Sequence, residues 1–181
     1  MALALLAAGP KNSDINPPYK DLKWGMTPQK SSISGLEQYP QNDIAFKGWH
    51  GALLGDDVAV FGRYTPKTLR LWSVSVVAGR TVGFDEANSK FEHYLDILTQ
   101  KYGKPTKDYR YFIRPYEEGD GYEDTALSSE KYRRVSFWVE NPVGMLSIEI
   151  TKEGWTKMSY ESREFFEVQK EESGQITKEI L

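Results

Sequence analysis

The sequence predicts an α+β protein built on an antiparallel sheet with two helices packed on one face. Three observations lead there. Residues 84–102 carry an unbroken apolar stripe at helical spacing, several short segments alternate apolar and polar residues, and the connections between those segments are short turn signals. Short connections suit hairpins, and a parallel sheet would need longer crossovers.

The elements follow in order. Thr27-Pro28 has the chemistry of a helix start, a hydroxyl N-cap followed by a proline whose φ is already set, so a short helix is expected from Thr27 to about Glu37. Its interior of Ser31, Ser32, Ser34 and Gly35 is poor in helix formers, leaving Ile33 and Leu36 to hold it by packing. Strands are expected over 43–54 and 57–64, divided by Gly55-Asp56-Asp57. A third is expected over 68–77, with Trp72, Val74 and Val76 on one face and Leu71, Ser73 and Ser75 on the other.

The long helix is the best-determined element. Phe84, Ala87, Phe91, Tyr94, Leu95, Leu98 and Tyr102 recur at spacings of three and four, Asp85 is placed to cap the start, and Gly103 with Pro105 closes the end. Four strands follow, over 108–114, 131–140, 145–151 and 155–160, with turns at Asn141-Pro-Val-Gly144 and Glu153-Gly154. The order helix-then-strands occurs twice, which suggests a tandem duplication with halves 21–80 and 81–160. Residues 1–20 read as a leader remnant and lead-in. Residues 161–181 read as a charged C-terminal appendage, with a helix as one form open to it.

Composition narrows the function. The chain has 181 residues, enough for one domain with a real core, and carries 23 basic against 26 acidic residues for a net charge of -3. No run of Lys and Arg forms a phosphate-tracking stripe, so nucleic acid is not an expected partner. Cysteine is absent, which removes disulfides, thiol nucleophiles and thiolate metal sites. Met1 to Pro10 is apolar and small before the chain turns polar, in the manner of the end of a bacterial signal peptide. Gly9 stands where a lipoprotein signal carries its lipid-bearing cysteine. Export to the periplasm or outer membrane is the expectation, with no transmembrane span.

Gly25-Met26-Thr27-Pro28 opening a short helix ahead of a meander resembles the small exported modules of the SmpA/OmlA outer-membrane lipoproteins and the beta-lactamase-inhibitor-protein-like group. The likeness covers about Trp24 to Tyr64, and in the second half Gly83-Phe84-Asp85 takes the place of Gly-Met-Thr. It implies an envelope or secreted module that binds protein. The chain departs from the lipoprotein pattern in lacking the leading cysteine and in having one helix per half where those families have two.

No catalytic template is present: no Gly-x-Ser-x-Gly, Walker A, His-Glu-x-x-His or Gly-x-Gly-x-x-Gly motif occurs. His50 stands near Asp56 and Asp57 across a hairpin, and His93 lies off the apolar stripe of the long helix, as a solvated group would. The cluster Glu117-Glu118-Gly-Asp120-Gly-Tyr-Glu123-Asp124 offers oxygen ligands but not the spacing of an EF-hand, and reads as the solvated tip of a long hairpin. No catalytic residue, metal or cofactor is assigned.

Aromatic residues are the richer signal, with 5 Trp, 11 Tyr and 8 Phe. In 131–140, Val135, Phe137 and Val139 form one face, expected to take the helix, while Arg134, Ser136 and Trp138 form the other. Glu149, Ser147 and Thr151 would extend that second face, with Arg110, Phe112 and Arg114 nearby. Arginine and aromatic rings are enriched in protein interfaces, and rings also stack on sugars. The sequence therefore predicts a noncatalytic exported binding or scaffold module using Arg110, Phe112, Arg114, Arg134, Ser136, Trp138 and Glu149 for an envelope protein or glycan. A carboxylate- or metal-dependent hydrolase and a carbohydrate-binding module are the alternatives.

Overall fold

A computed structural model describes residues 13–40 and 43–180. Residues 1–12, with the apolar leader Met1 to Pro10, lie outside the described residues. The strands are β1 (Glu37–Gln38), β2 (Phe46–Leu53), β3 (Asp56–Tyr64), β4 (Leu71–Ala78), β5 (Lys107–Phe112), β6 (Tyr132–Trp138), β7 (Gly144–Ile150) and β8 (Thr156–Ser162). The helices are α1 (Phe84–Tyr102), α2 (Glu123–Ser128) and α3 (Arg163–Ile180). All eight strands join one antiparallel sheet in the order β1-β2-β3-β4-β8-β7-β6-β5. Each half is a four-stranded meander that runs from an edge inward, and the two meet where β4 pairs with β8.

Residues opposed across an antiparallel ladder point to the same side, so the register sorts the two faces. One face carries the row Trp49, Val60, Val76, Met158, Ile148 and Ser136, and the row Gly62, Val74, Tyr160, Leu146 and Trp138. The large side chains of these rows are buried in the core. α1 covers this face in the second half with the stripe that the sequence predicts, burying Ala87, Phe91, Tyr94, Leu95, Leu98 and Tyr102. Glu86 accepts the Val82 N–H and Asp124 accepts the Phe84 N–H (2.6 Å), so carboxylates of the first turn and of α2 satisfy donors at the α1 start. Gly103, at φ 82, ends the helix by donating its N–H to Thr99 O.

The N-terminal segment 13–36 adds to the same core: Leu22 and Ile33 are buried, and Ile15 is buried beside Tyr102, Trp138 and Gly144 of the second half. The helix expected over 27–37 is a single 3-10 turn, Pro28–Lys30. Thr27 makes no side-chain cap, and the Ser31 hydroxyl donates instead to the Thr27 carbonyl, a local bond that competes with helix extension. Lys47 Nζ donates to the Pro28 and Ser31 carbonyls and pins that turn to β2. Of the two helices expected on this face, α1 is the one formed as a regular helix.

A bulge between Arg63 and Tyr64 shifts the register so that Leu71 opposes Tyr64. Leu71 therefore joins Val74 and Val76 in the core, where simple alternation would leave it with Ser73 and Ser75. The C-terminal segment continues directly from β8 into α3. Phe166 meets Trp72 with ring centroids 5.7 Å apart, and the buried Glu172 accepts the N–H groups of Lys67 and Thr68 in the β3–β4 loop. No described helix is long and apolar enough to cross a membrane.

Candidate functional site

The expected binding residues do not share one open surface. Arg134, Ser136 and Trp138 are 6%, 0% and 4% exposed and lie beneath α1, so the face assignment of β6 is the reverse of the one read from sequence. Arg134 donates to Glu92 of α1 and to Asp108 of β5, and its guanidinium stacks 4.3 Å from the Phe91 ring centroid. Ser136 donates to the same Asp108, and Trp138 Nε1 donates to the Gly103 carbonyl at 2.8 Å. A buried cation paired twice and laid on a ring belongs to the core as a hydrophobic residue does.

Arg110 and Phe112 point to this same side, opposite Arg134 and Tyr132. Arg110 is exposed and pairs with Glu118, while Phe112 packs with Phe84 and Tyr132. Arg114 is exposed beyond the end of β5. Of the predicted set, Glu149 alone lies on the outer face, where it pairs with Lys157 at 2.8 Å.

The electrostatics of the Arg134 cluster follow from this packing. Burial alone would raise the Asp108 carboxyl, but the hydrogen bonds from Arg134 and Ser136 hold it below its usual value. The acidic loop is likewise occupied by its own backbone. Asp120 accepts the N–H groups of Glu117 and Tyr122, Glu123 accepts that of Gly119, and the loop runs into α2, an element not read from the sequence. Asp56 turns inward to Lys90 (2.6 Å) and Tyr94 (2.8 Å), so it does not serve His50. His93 is exposed.

The outer face is itself apolar over much of its area. At the β1–β4 end, a recess of about 630 Å³ is lined by Tyr39, His50, Asp57, Phe61, Val77 and Trp155. Tyr39 lies 4.6 Å from the His50 ring and stacks on Phe61 at 6.4 Å, and Phe61 stacks on Phe46 at 5.5 Å. His50 Nε2 stands 3.7 Å from Glu37. At the other end, Phe137, Val139 and Met145 line a second recess of about 230 Å³ with Ser147, Ser159 and Glu161. Between them runs a polar seam in which the Ser75 and Ser159 hydroxyls are 3.4 Å apart. Burial lifts the Glu161 carboxyl above its usual value, an effect that Arg63 and Lys157 only partly offset.

Of the recess, His50 and Asp57 were singled out in the sequence, but Phe61 escaped it because β3 alternates two usable faces. Val58 and Val60 mark the core, but Ala59 and Phe61 on the other side are apolar as well. Among the described residues, no three His, Asp or Glu side chains gather as a metal-ligand group. The chain has no match among protein-family models, curated proteins or solved structures.

Proposed function

We propose that this protein is a noncatalytic binding module of the bacterial envelope that takes a protein partner on the outer face of its sheet. The observation that carries the reading is the row of stacked, half-buried rings around the larger recess. Such a concave apolar patch with few polar groups is the kind of surface that receives an anchoring side chain. Phe46, His50 and Phe61 stand on paired strands and Tyr39, just past β1, donates its N–H to the Gly48 carbonyl of β2, so the site is preformed and little ordering cost falls on association.

The resemblance to the SmpA/OmlA and beta-lactamase-inhibitor-protein-like modules supports an exported binding role, as does the apolar leader. The matching order of the two meanders supports a duplicated ancestral unit. A glycan is the second reading, favoured by the near-parallel planes of Tyr39 and Phe61 at 9°, a ring row that suits the flat face of a sugar.

The test is the double variant Tyr39→Ala with Phe61→Ala. The immobilised variant should lose the proteins that the wild type captures from an envelope extract while its far-UV spectrum is unchanged. Equal capture by both sinks the reading. Glycan-array binding that disappears in the same variant would favour the sugar instead.

A further inference from the structure

The edge strand β5 points to a partner that needs no second kind of molecule. Among the described residues it has β6 on one side and no strand on the other, and all of it except Phe112 is exposed. In an antiparallel ladder, alternate residues turn both peptide groups toward the same neighbour. The Ile113 N–H donates to the Lys131 carbonyl at 2.7 Å, in line with the pairing of Lys107 with Phe137, Tyr109 with Val135 and Tyr111 with Arg133. The odd-numbered residues therefore spend their peptide groups on β6. The peptide groups of Asp108, Arg110 and Phe112 face outward.

We propose that two copies of this chain pair antiparallel through β5, with the two-fold axis at Tyr109, to form one continuous sheet. Outward peptide groups must meet outward peptide groups, so a symmetric pair can be centred only on a residue, not between two. Centring on Asp108 opposes two aspartates, and centring on Arg110 opposes two arginines. Centring on Tyr109 sets Asp108 against the second copy's Arg110 and Arg110 against its Asp108. That register also sets Lys107 against Tyr111 in both directions, with the two Tyr109 rings adjacent at the axis. Centring on Tyr111 sets Arg110 against Phe112 and leaves Asp108 opposite Arg114, beyond the end of the strand. Of these four registers, the one on Tyr109 alone pairs both charges within β5.

The side chains can reach it: Arg134 and Ser136 engage Asp108 through Oδ1, leaving Oδ2 to the second copy, and Arg110 would exchange Glu118 for that oxygen. Asp108 and Arg110 are about half exposed, and Tyr109 and Tyr111 are 42% and 48% exposed. Their sides also agree, because Asp108 and Arg110 lie on the α1 side of the sheet while both tyrosines lie on the outer face. The outer faces of the two copies would run together across the axis. An edge this short falls at or below the ~1,200 Å² of small specific interfaces, so the dimer should dissociate on dilution.

The absence of cysteine makes the register directly testable. Opposed residues without mutual hydrogen bonds have Cα atoms about 4.5 Å apart, within the ~4.4–6.8 Å that a disulfide spans. Under mild oxidation, Tyr109→Cys should give a disulfide-linked dimer. Tyr111→Cys, whose two copies would sit roughly 13 Å apart, should stay uncrosslinked. In sedimentation equilibrium the wild type should approach twice the chain mass with rising concentration. Arg110→Asp, which opposes two acids, and Arg110→Pro, which removes an outward N–H and spares the β6 ladder, should remain monomeric with unchanged far-UV spectra. A wild type monomeric at every concentration overturns the proposal. So does a dimer that survives Arg110→Asp, or equal crosslinking at both cysteine positions. Capture by the Tyr39 and Phe61 surface is read separately, so neither result decides the other.

Discussion

Arg134 shows how one side chain can belong to the core while reading as surface. Its side chain is 6% exposed, whereas Glu92 and Asp108 keep about half of theirs in solvent, so removing the arginine leaves carboxylates that can turn to water. Arg134→Met is therefore expected to cost about 2–3 kcal/mol, below the full penalty of a stranded buried charge, with the slope of a urea titration unchanged. Glu161 works in the other direction. Its carboxyl is raised in the folded state, so its contribution to stability is fully present below the unfolded value and is lost as pH rises through the folded one. Glu161→Gln should accordingly stabilise the protein at neutral pH and make no difference in acid below the ordinary glutamate range. Urea midpoints of both proteins across that window check the sign.

Among the elements, α1 was legible in its period and its stop, whereas Asp85, read as the cap, lies inside the first turn and Gly83 is the N-cap. The stripe from Phe84 to Tyr102 matches what the helix buries. The strands were legible in number, apart from the two-residue β1, because turn residues separate them. What failed were features set by tertiary contact. The 27–37 segment had a good start signal and nothing to propagate it, and β6 carried two faces that hydropathy ranks in the wrong order because Phe137 is outside and Arg134 inside. Of the recess only the neighbouring His50 and Asp57 were legible, since Tyr39, Phe61 and Trp155 come from separate strands and loops.

Turn chemistry gives the next prediction at this scale. Leu54 and Gly55 join β2 to β3 with φ of 54° and 89°, the left-handed pair of a type I′ turn, and Leu54 is exposed there. Leu54→Asn supplies the residue such a turn prefers and should stabilise by about 0.5–1 kcal/mol, measured as a higher urea midpoint.

For the whole molecule, the decisive joint is the pairing of β4 with β8. No hairpin joins β4 to β8, and the chain passes between the halves through the segment that carries α1, yet the row Val60, Val76, Met158 and Ile148 runs through the joint without interruption, so the two meanders share one apolar layer. A shared core makes the halves depend on each other for burial, and independent unfolding would expose that layer at the seam. Met158, buried at this joint, is the place to test it. Met158→Ala should cost about 2–4 kcal/mol, because the sheet has little room to collapse around the gap. The loss should fall on the molecule as one unit. Trp24, Trp49 and Trp72 report the tertiary packing of the first half and Trp138 and Trp155 that of the second, and far-UV ellipticity weights α1 and α3, so fluorescence and ellipticity should trace a single coincident urea transition in the wild type and in the variant. Two separated transitions, or a variant that shifts one signal and spares the other, would show that the meanders are stable apart and that the seam is merely a contact.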